Sequence, residues 1–239
     1  MKLCGLTRNA SRFGFPPTSN PNHTRPTSVA TIGMNGDAGN HQYDTHDFFD
    51  ALAAGNLPAV SFLKAPAYQN AHPSNSNPLD EQAWVVSVIN ALEQSPFWSN
   101  TAVIIAYDDS DGWYDHQPGP LSNASFSTAD TLSGTNACGI TGITPQLPGP
   151  NSSGPVNGRC SPGPRTPLLV ISPWARPNFV DHTFTIQTSI TQFIEQNWGL
   201  PQIGGGSYDS TAGTINNMFD FTQTPNPPLL LSPITGQPE

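Results

Sequence analysis

The chain has 239 residues and a formal charge of −9, with only 10% charged residues against 26 Pro and 21 Gly. Hydrophobic residues at 36% and five Trp argue against wholesale disorder and supply one α/β domain or most of one. The acidic balance, with no Lys/Arg cluster, excludes nucleic acid as a natural partner, and no apolar run has the length of a transmembrane segment.

Residues 1–19 read as an irregular N-terminal segment, and the opening MKLCGLTRNASRFG lacks the apolar stretch of a signal peptide. Asn20-Pro21-Asn22-His23 and Arg25-Pro26 are turn or extended signals, where a histidine usually sits on the surface. Asp44 to Ala54 predicts a short helix, with an Asp/Thr cap, Phe48, Phe49 and Leu52 on its apolar side and Gly55 at its stop. His41 and His46 flank or occupy its start, and a surface or capping role suits His46 better than a site. Ala59 to Leu63 predicts a strand, followed by a loop rich in Asn, Ser and Pro that carries His72. Taken alone, His72 reads as an exposed loop residue.

Asn77-Pro78-Leu79-Asp80-Glu81 opens a second helix, with an Asn cap, Pro at the first helical position and acids in the first turn. Val85, Val88, Ile89 and Leu92 follow at helical spacing beside Trp84, and Pro96 ends the helix. The next apolar run, Ala102 to Tyr107, predicts a strand covered on both faces. Strand, helix and strand together predict a parallel β–α–β unit with a right-handed crossover.

That strand breaks into Asp108-Asp109-Ser110-Asp111-Gly112-Trp113-Tyr114-Asp115-His116. Carboxylates this dense repel one another and are costly to bury without a cation among them, and the carboxyl end of a strand is where open α/β sheets bind ligands. A hard-metal site is one reading and a solvated Asp/Gly turn is the other. The spacing excludes an EF-hand, because no register places oxygen ligands at positions 1, 3 and 5 with Gly at 6 and Glu at 12.

Residues 117–164 form a long Gly/Pro-rich excursion of the kind that serves as a lid or binding loop. Cys138 and Cys160 bracket part of it and are candidates for a disulfide in an oxidising compartment, leaving Cys4 over. Pro167 to Ser172 predicts another buried strand, and Thr185 to Trp198 a helix with Ile186, Ile190, Phe193, Ile194 and Trp198 on its apolar side. Ser189 reads as a helix-surface residue, and Asp181-His182 as a cap before that helix. Residues 222–239 read as a Pro-rich tail.

Several long blocks in the right order resemble the bacterial phosphoesterase family of phospholipases C and acid phosphatases, within the alkaline-phosphatase-like superfamily. They include NPNHTRPTS (20–28), LPAVSFLKAPAYQNAHPSNSNPLDEQ (57–82), TAVIIAYDDSDGWYDH (101–116), RTPLLVISPWA (165–175), VDHTFTIQTSITQFIEQNW (180–198) and GSYDSTAGTINNMFDF (206–221). The resemblance makes residues 20–221 a partial phosphoesterase domain and implies a mostly parallel sheet with flanking helices. It also implies metal-assisted hydrolysis of phosphate esters, including phospholipids, by a divalent metal ion of undetermined identity. Asp108 and Asp109 match the family's metal ligands, His72 the histidine that contacts the phosphoryl group, and His23 a further active-site histidine. Asp111, Asp115, His116 and His182 are candidates for supporting positions.

The family's Glu-Asn ligand block and its Ser or Thr nucleophile are not recognisable in these residues. The resemblance therefore implies the C-terminal part of an enzyme that is secreted or periplasmic in its full-length form, inactive or weakly active as this chain and lacking an N-terminal half. The alternative is a non-catalytic metal- or phosphate-binding remnant. A secreted carbohydrate-binding module, suggested by the polar loops and the tryptophans, would leave the acidic strand end without a role.

Overall fold

A computed structural model describes residues 25–110, 115, 117, 119, 162–205 and 207–239. They divide into two units, Met1–Thr101 with Pro227–Glu239, and Ala102–Asn226. The first two predicted helices form where their end signals placed them. Helix α1, Thr45–Ala54, begins where the Asp44 backbone N–H donates to Asp47 Oδ2 at 2.9 Å. It ends where Gly55 takes the left-handed conformation at φ 73° that an L-residue resists. Phe48, Phe49, Ala51 and Leu52 are buried, the two rings meeting edge to face at 5.4 Å. The helix packs on a 3-10 turn, Val29–Thr31.

Helix α2, Pro78–Glu93, starts from Asn77, whose Oδ1 accepts the backbone N–H groups of Leu79 and Asp80 at 2.8 and 3.1 Å. Such a cap contributes about 1 kcal/mol. The buried stripe is Trp84, Val88 and Leu92, and Val86 and Glu93 are buried as well. The expected Val85 and Ile89 are only half-buried. This helix is covered on more than one side: Asn90 exchanges two hydrogen bonds with the Leu231 backbone (2.7 and 3.2 Å), and Glu93 accepts the Leu229 N–H at 2.9 Å. The residues read from the sequence as a tail thus include part of α2's packing.

In the second unit β1, Val103–Ala106, pairs with β2, Leu168–Ile171, in antiparallel register from Val103 opposite Ile171 to Ala106 opposite Leu168. The expected parallel β–α–β unit does not form among the described residues, and 59–63 is not a strand there. An apolar run sets a preference for extended backbone, but a strand also needs an edge to satisfy its N–H and C=O groups. With no such edge Phe62 stands 77% exposed. Neither strand is covered on both faces as expected; both are half-buried and Leu169 is 46% exposed. What the described residues show is a mixture of helices with a small antiparallel sheet.

The chain leaving β2 is pinned by the segment 218–226: Arg176 N–H donates to Met218 O, Asp220 N–H to Trp174 O, and Asn226 N–H to Pro173 O. Helix α3, Thr188–Trp198, begins three residues later than the spacing predicts and stops at Gly199, at φ 64°. Ile186 therefore precedes the helix, and Trp198, expected on its apolar side, is exposed. Phe193 stacks on Phe219 and Phe219 on Phe221, at 5.2 and 5.8 Å between ring centroids. Fully buried Ile215 lies in the same segment. Gly213 is required by close packing, since a Cβ there would meet the Phe184 carbonyl oxygen at 2.0 Å.

Candidate functional site

The acidic strand end is built from β1 outward. Pairing with β2 holds the backbone as far as Ala106. Tyr107 is half-buried, the chain bends at Asp108, and the Asp108 and Asp109 side chains are exposed. Successive side chains on a regular strand point to opposite faces, so two consecutive carboxylates can serve one centre only outside the ladder. Both lie beyond the last paired residue. The bend is held from α3: the side-chain amide of Gln187 donates to Tyr107 O at 2.9 Å and to Asp108 O at 2.7 Å.

Two carboxylates are hard oxygen donors that suit calcium, magnesium or manganese, or zinc alongside histidine. The donor chemistry of the pair therefore fits a divalent ion and would supply part of its shell. No group of three or more His, Cys, Asp or Glu side chains converges among the described residues.

Asp115 is arranged differently. Its Oδ2 accepts Arg165 Nε at 2.7 Å and Nη2 at 2.6 Å, and its Oδ1 accepts the Gln117 N–H at 3.2 Å. Arg165 N–H donates to Gln117 O and Gly119 N–H to Gly163 O, so the ion pair closes the base of the 117–164 excursion. Its charge is neutralised by a guanidinium, which makes it a clamp. Asp111, His116 and His23 lie outside the described residues, as do Cys138 and Cys160.

Asp181 does not cap α3 as expected. Its Oδ1 accepts the backbone N–H and hydroxyl of Thr183 at 2.9 and 2.8 Å, a local turn well before the helix, and its Oδ2 is buried without a hydrogen-bond partner. His182 is exposed. Ser189 is fully buried, contrary to a helix-surface reading, because its Oγ accepts the Ile186 N–H at 3.0 Å and so caps the helix start from within.

His72 belongs to the first unit and is exposed. The loop around it is tightly determined. Ala71 and Ser74 take positive φ of 58° and 72°, the His72 carbonyl accepts the N–H groups of Asn75 and Ser76, and Ser76 Oγ accepts the Ala71 N–H at 2.8 Å. Two non-glycine residues in the left-handed region are costly, and such backbone is retained at functional loops. The ring's Nδ1 lies in hydrogen-bond contact with Pro73 O. A carbonyl can only accept, so Nδ1 is the donor of that contact. His46, by contrast, pairs with Asp50 one turn along α1 at 2.9 Å.

Gln187 and Arg165 escaped the reading of the sequence. An amide or guanidinium that reaches 79 or 50 residues back leaves no spacing to detect.

A family model described as the Phosphoesterase family matches residues 14–201, and the chain belongs to that family. It is 30% identical over 191 residues to a non-hemolytic phospholipase C of Pseudomonas aeruginosa, covering 78% of this chain and 27% of that protein. A non-hemolytic phospholipase C of Burkholderia pseudomallei is 35% identical over 170 residues (70% of this chain, 22% of that protein). Phospholipase C A of Mycobacterium tuberculosis is 30% identical over 194 residues (80% and 35%). The chain thus spans between 22% and 35% of the length of these relatives. No helix among the described residues is long and apolar enough to cross a membrane.

Proposed function

We propose that this chain serves the metal-assisted hydrolysis of phosphate esters, of the phospholipase C or acid phosphatase type, with Asp108 and Asp109 as ligands of a divalent metal ion. The observation that carries the reading is the pair of exposed carboxylates just past β1, on a bent backbone, in a member of the Phosphoesterase family. A bound divalent ion supplies charge stabilisation to a phosphoryl oxygen and lowers the pKa of an attacking hydroxyl. The chain's own groups bind and orient. By resemblance, His72 and His23 contact a phosphate oxygen or the leaving oxygen. Since the relatives are named phospholipases C, a phospholipid is the favoured substrate, and a secreted or periplasmic setting within an alkaline-phosphatase-like fold goes with it. A second reading of the same exposed carboxylates is metal or phosphate binding with little turnover.

Manganese binding followed by calorimetry, together with hydrolysis of p-nitrophenyl phosphorylcholine, tests both. The wild-type chain is expected to bind Mn²⁺, and Asp108→Asn to weaken that binding at least tenfold, a loss of about 1.4 kcal/mol. Turnover that Asp108→Asn abolishes favours the enzyme, and binding without turnover favours the second reading. Wild-type and Asp108→Asn chains with equal Mn²⁺ affinity would remove the metal assignment.

A further inference from the structure

We infer that Gln187 is the positioning residue of the Asp108–Asp109 pair, an inference that rests on reading that pair as metal ligands. Gln187 immediately precedes α3, in helical conformation at φ −55° and ψ −35°. Its backbone is fixed from both sides: the Ile190 N–H donates to its carbonyl at 3.2 Å, and the preceding Ile186 N–H is held by the fully buried Ser189 hydroxyl. From that anchored base the side chain runs across an exposed surface to two consecutive carbonyls, Tyr107 O and Asp108 O.

Consecutive carbonyls of an extended strand point in opposite directions. One amide nitrogen can donate to both only when the chain has left the ladder, as it does at Asp108. The two donors of a single NH₂ group therefore select the bent backbone over its straight continuation. A bent backbone is also what two successive carboxylates need in order to reach one ion. Gln187 touches neither carboxylate by these bonds; it acts through the main chain that carries them.

The chemistry makes the position selective. Glutamate has nearly the same shape but would present acceptors to two carbonyl acceptors, and alanine would leave both carbonyls to water. Residues that orient ligands rather than bind the ion typically change metal affinity about 10- to 100-fold when removed.

The test is Mn²⁺ titration of the full chain as wild type, Gln187→Ala, Gln187→Glu and Asp108→Asn, with hydrogen exchange of the amides at 107–110 measured without metal. Both Gln187 variants are expected to bind Mn²⁺ about 10- to 100-fold more weakly, with faster exchange at 107–110 and an unchanged far-ultraviolet circular dichroism spectrum. If Asp108→Asn loses the ion while both Gln187 variants keep wild-type affinity, the positioning role is overturned and the metal reading stands. If the wild type itself binds no Mn²⁺, the metal reading fails and this inference fails with it. A Gln187→Glu chain that does not fold leaves Gln187→Ala to decide by the same two measurements.

Discussion

Asp37 shows how much one buried carboxylate can organise in a chain with few charges. It accepts hydrogen bonds from the Thr27 and Gly39 backbone N–H groups at 3.0 and 2.9 Å, from the Tyr43 hydroxyl at 3.1 Å, and from the Thr31 hydroxyl. Tyr43 in turn accepts the Gly33 N–H at 2.8 Å, so the loop before α1 is tied to one side chain. The Thr31 hydroxyl, followed by the two backbone donors and Tyr43, outweighs burial and holds the carboxyl down at about 2. Because the folded-state value is depressed, the stabilisation is complete above the ordinary aspartate range and is lost as pH falls from about 4 through about 2. Asp37→Asn is expected to melt below the wild type at pH 7, with the gap closing as pH falls below about 4. Thermal melts of both proteins across that window check it, and a gap that persists at pH 2 would show that the charge is not what matters.

At the scale of one element, α3 has a distinct task at each end. Its start carries Gln187 to the acidic strand end. Near its other end Glu195 is buried against fully buried Asp209, in the 3-10 turn Tyr208–Thr211. Both Glu195 carboxyl oxygens and Asp209 Oδ1 are buried with no donor, while Asp209 Oδ2 accepts the Ile203 N–H at 3.1 Å. Burial, and then the Asp209 charge, raises the Glu195 carboxyl, whereas the Ser207 hydroxyl leads the groups that lower Asp209. A proton on one Glu195 oxygen, donated to Asp209 Oδ1, would give two of these three oxygens a partner. Asp209 is the charged group facing Glu195, and Tyr208 is the other titratable side chain of that turn. A raised acid favours the fold below its unfolded value and loses that contribution as pH rises through the folded one. Glu195→Gln, which can still donate, is therefore expected to lose less melting temperature than the wild type as pH rises above the ordinary glutamate range; parallel curves would dismiss a proton shared by Glu195 and Asp209. The sequence showed the helix plainly through Ile190, Phe193 and Ile194, but not this pairing. A fully buried Asp209 in a stretch of Gly, Ser and Thr has the composition of a solvated loop, and only the tertiary contact distinguishes the two.

For the molecule as a whole, the legible parts were those written in consecutive residues: three helices, the first two with their N-terminal caps, two strand segments, and the family blocks around His72 and Asp108. Partner choice was not legible, because whether β1 pairs with 59–63 or with 168–171 depends on which edges are available, and a run of Val and Ile does not encode that. The same limit applies to the final residues. Pro and Leu at 227–231 look like an unanchored tail, yet Pro227–Glu239 clusters with residues before 101 and hydrogen-bonds to α2 through Asn90 and Glu93. The chain thus leaves the first unit at Thr101 and rejoins it at Pro227, and that unit depends on residues from both ends of this sequence. Each hydrogen bond is worth about 0.5–1.5 kcal/mol, so Asn90→Ala, which removes two, is expected to cost about 1–3 kcal/mol. Deleting 227–239 should cost more, since it also removes the Leu229 N–H that the Glu93 carboxyl, raised by burial, accepts. Hydrogen exchange resolved by segment distinguishes local from global loss. The deletion is expected to speed exchange across Pro78–Glu93 and to leave Thr188–Trp198 at its wild-type rates. Equal acceleration in both helices would mean that the two units unfold together, and no change in either would mean that the terminal segment contributes nothing to the packing of α2.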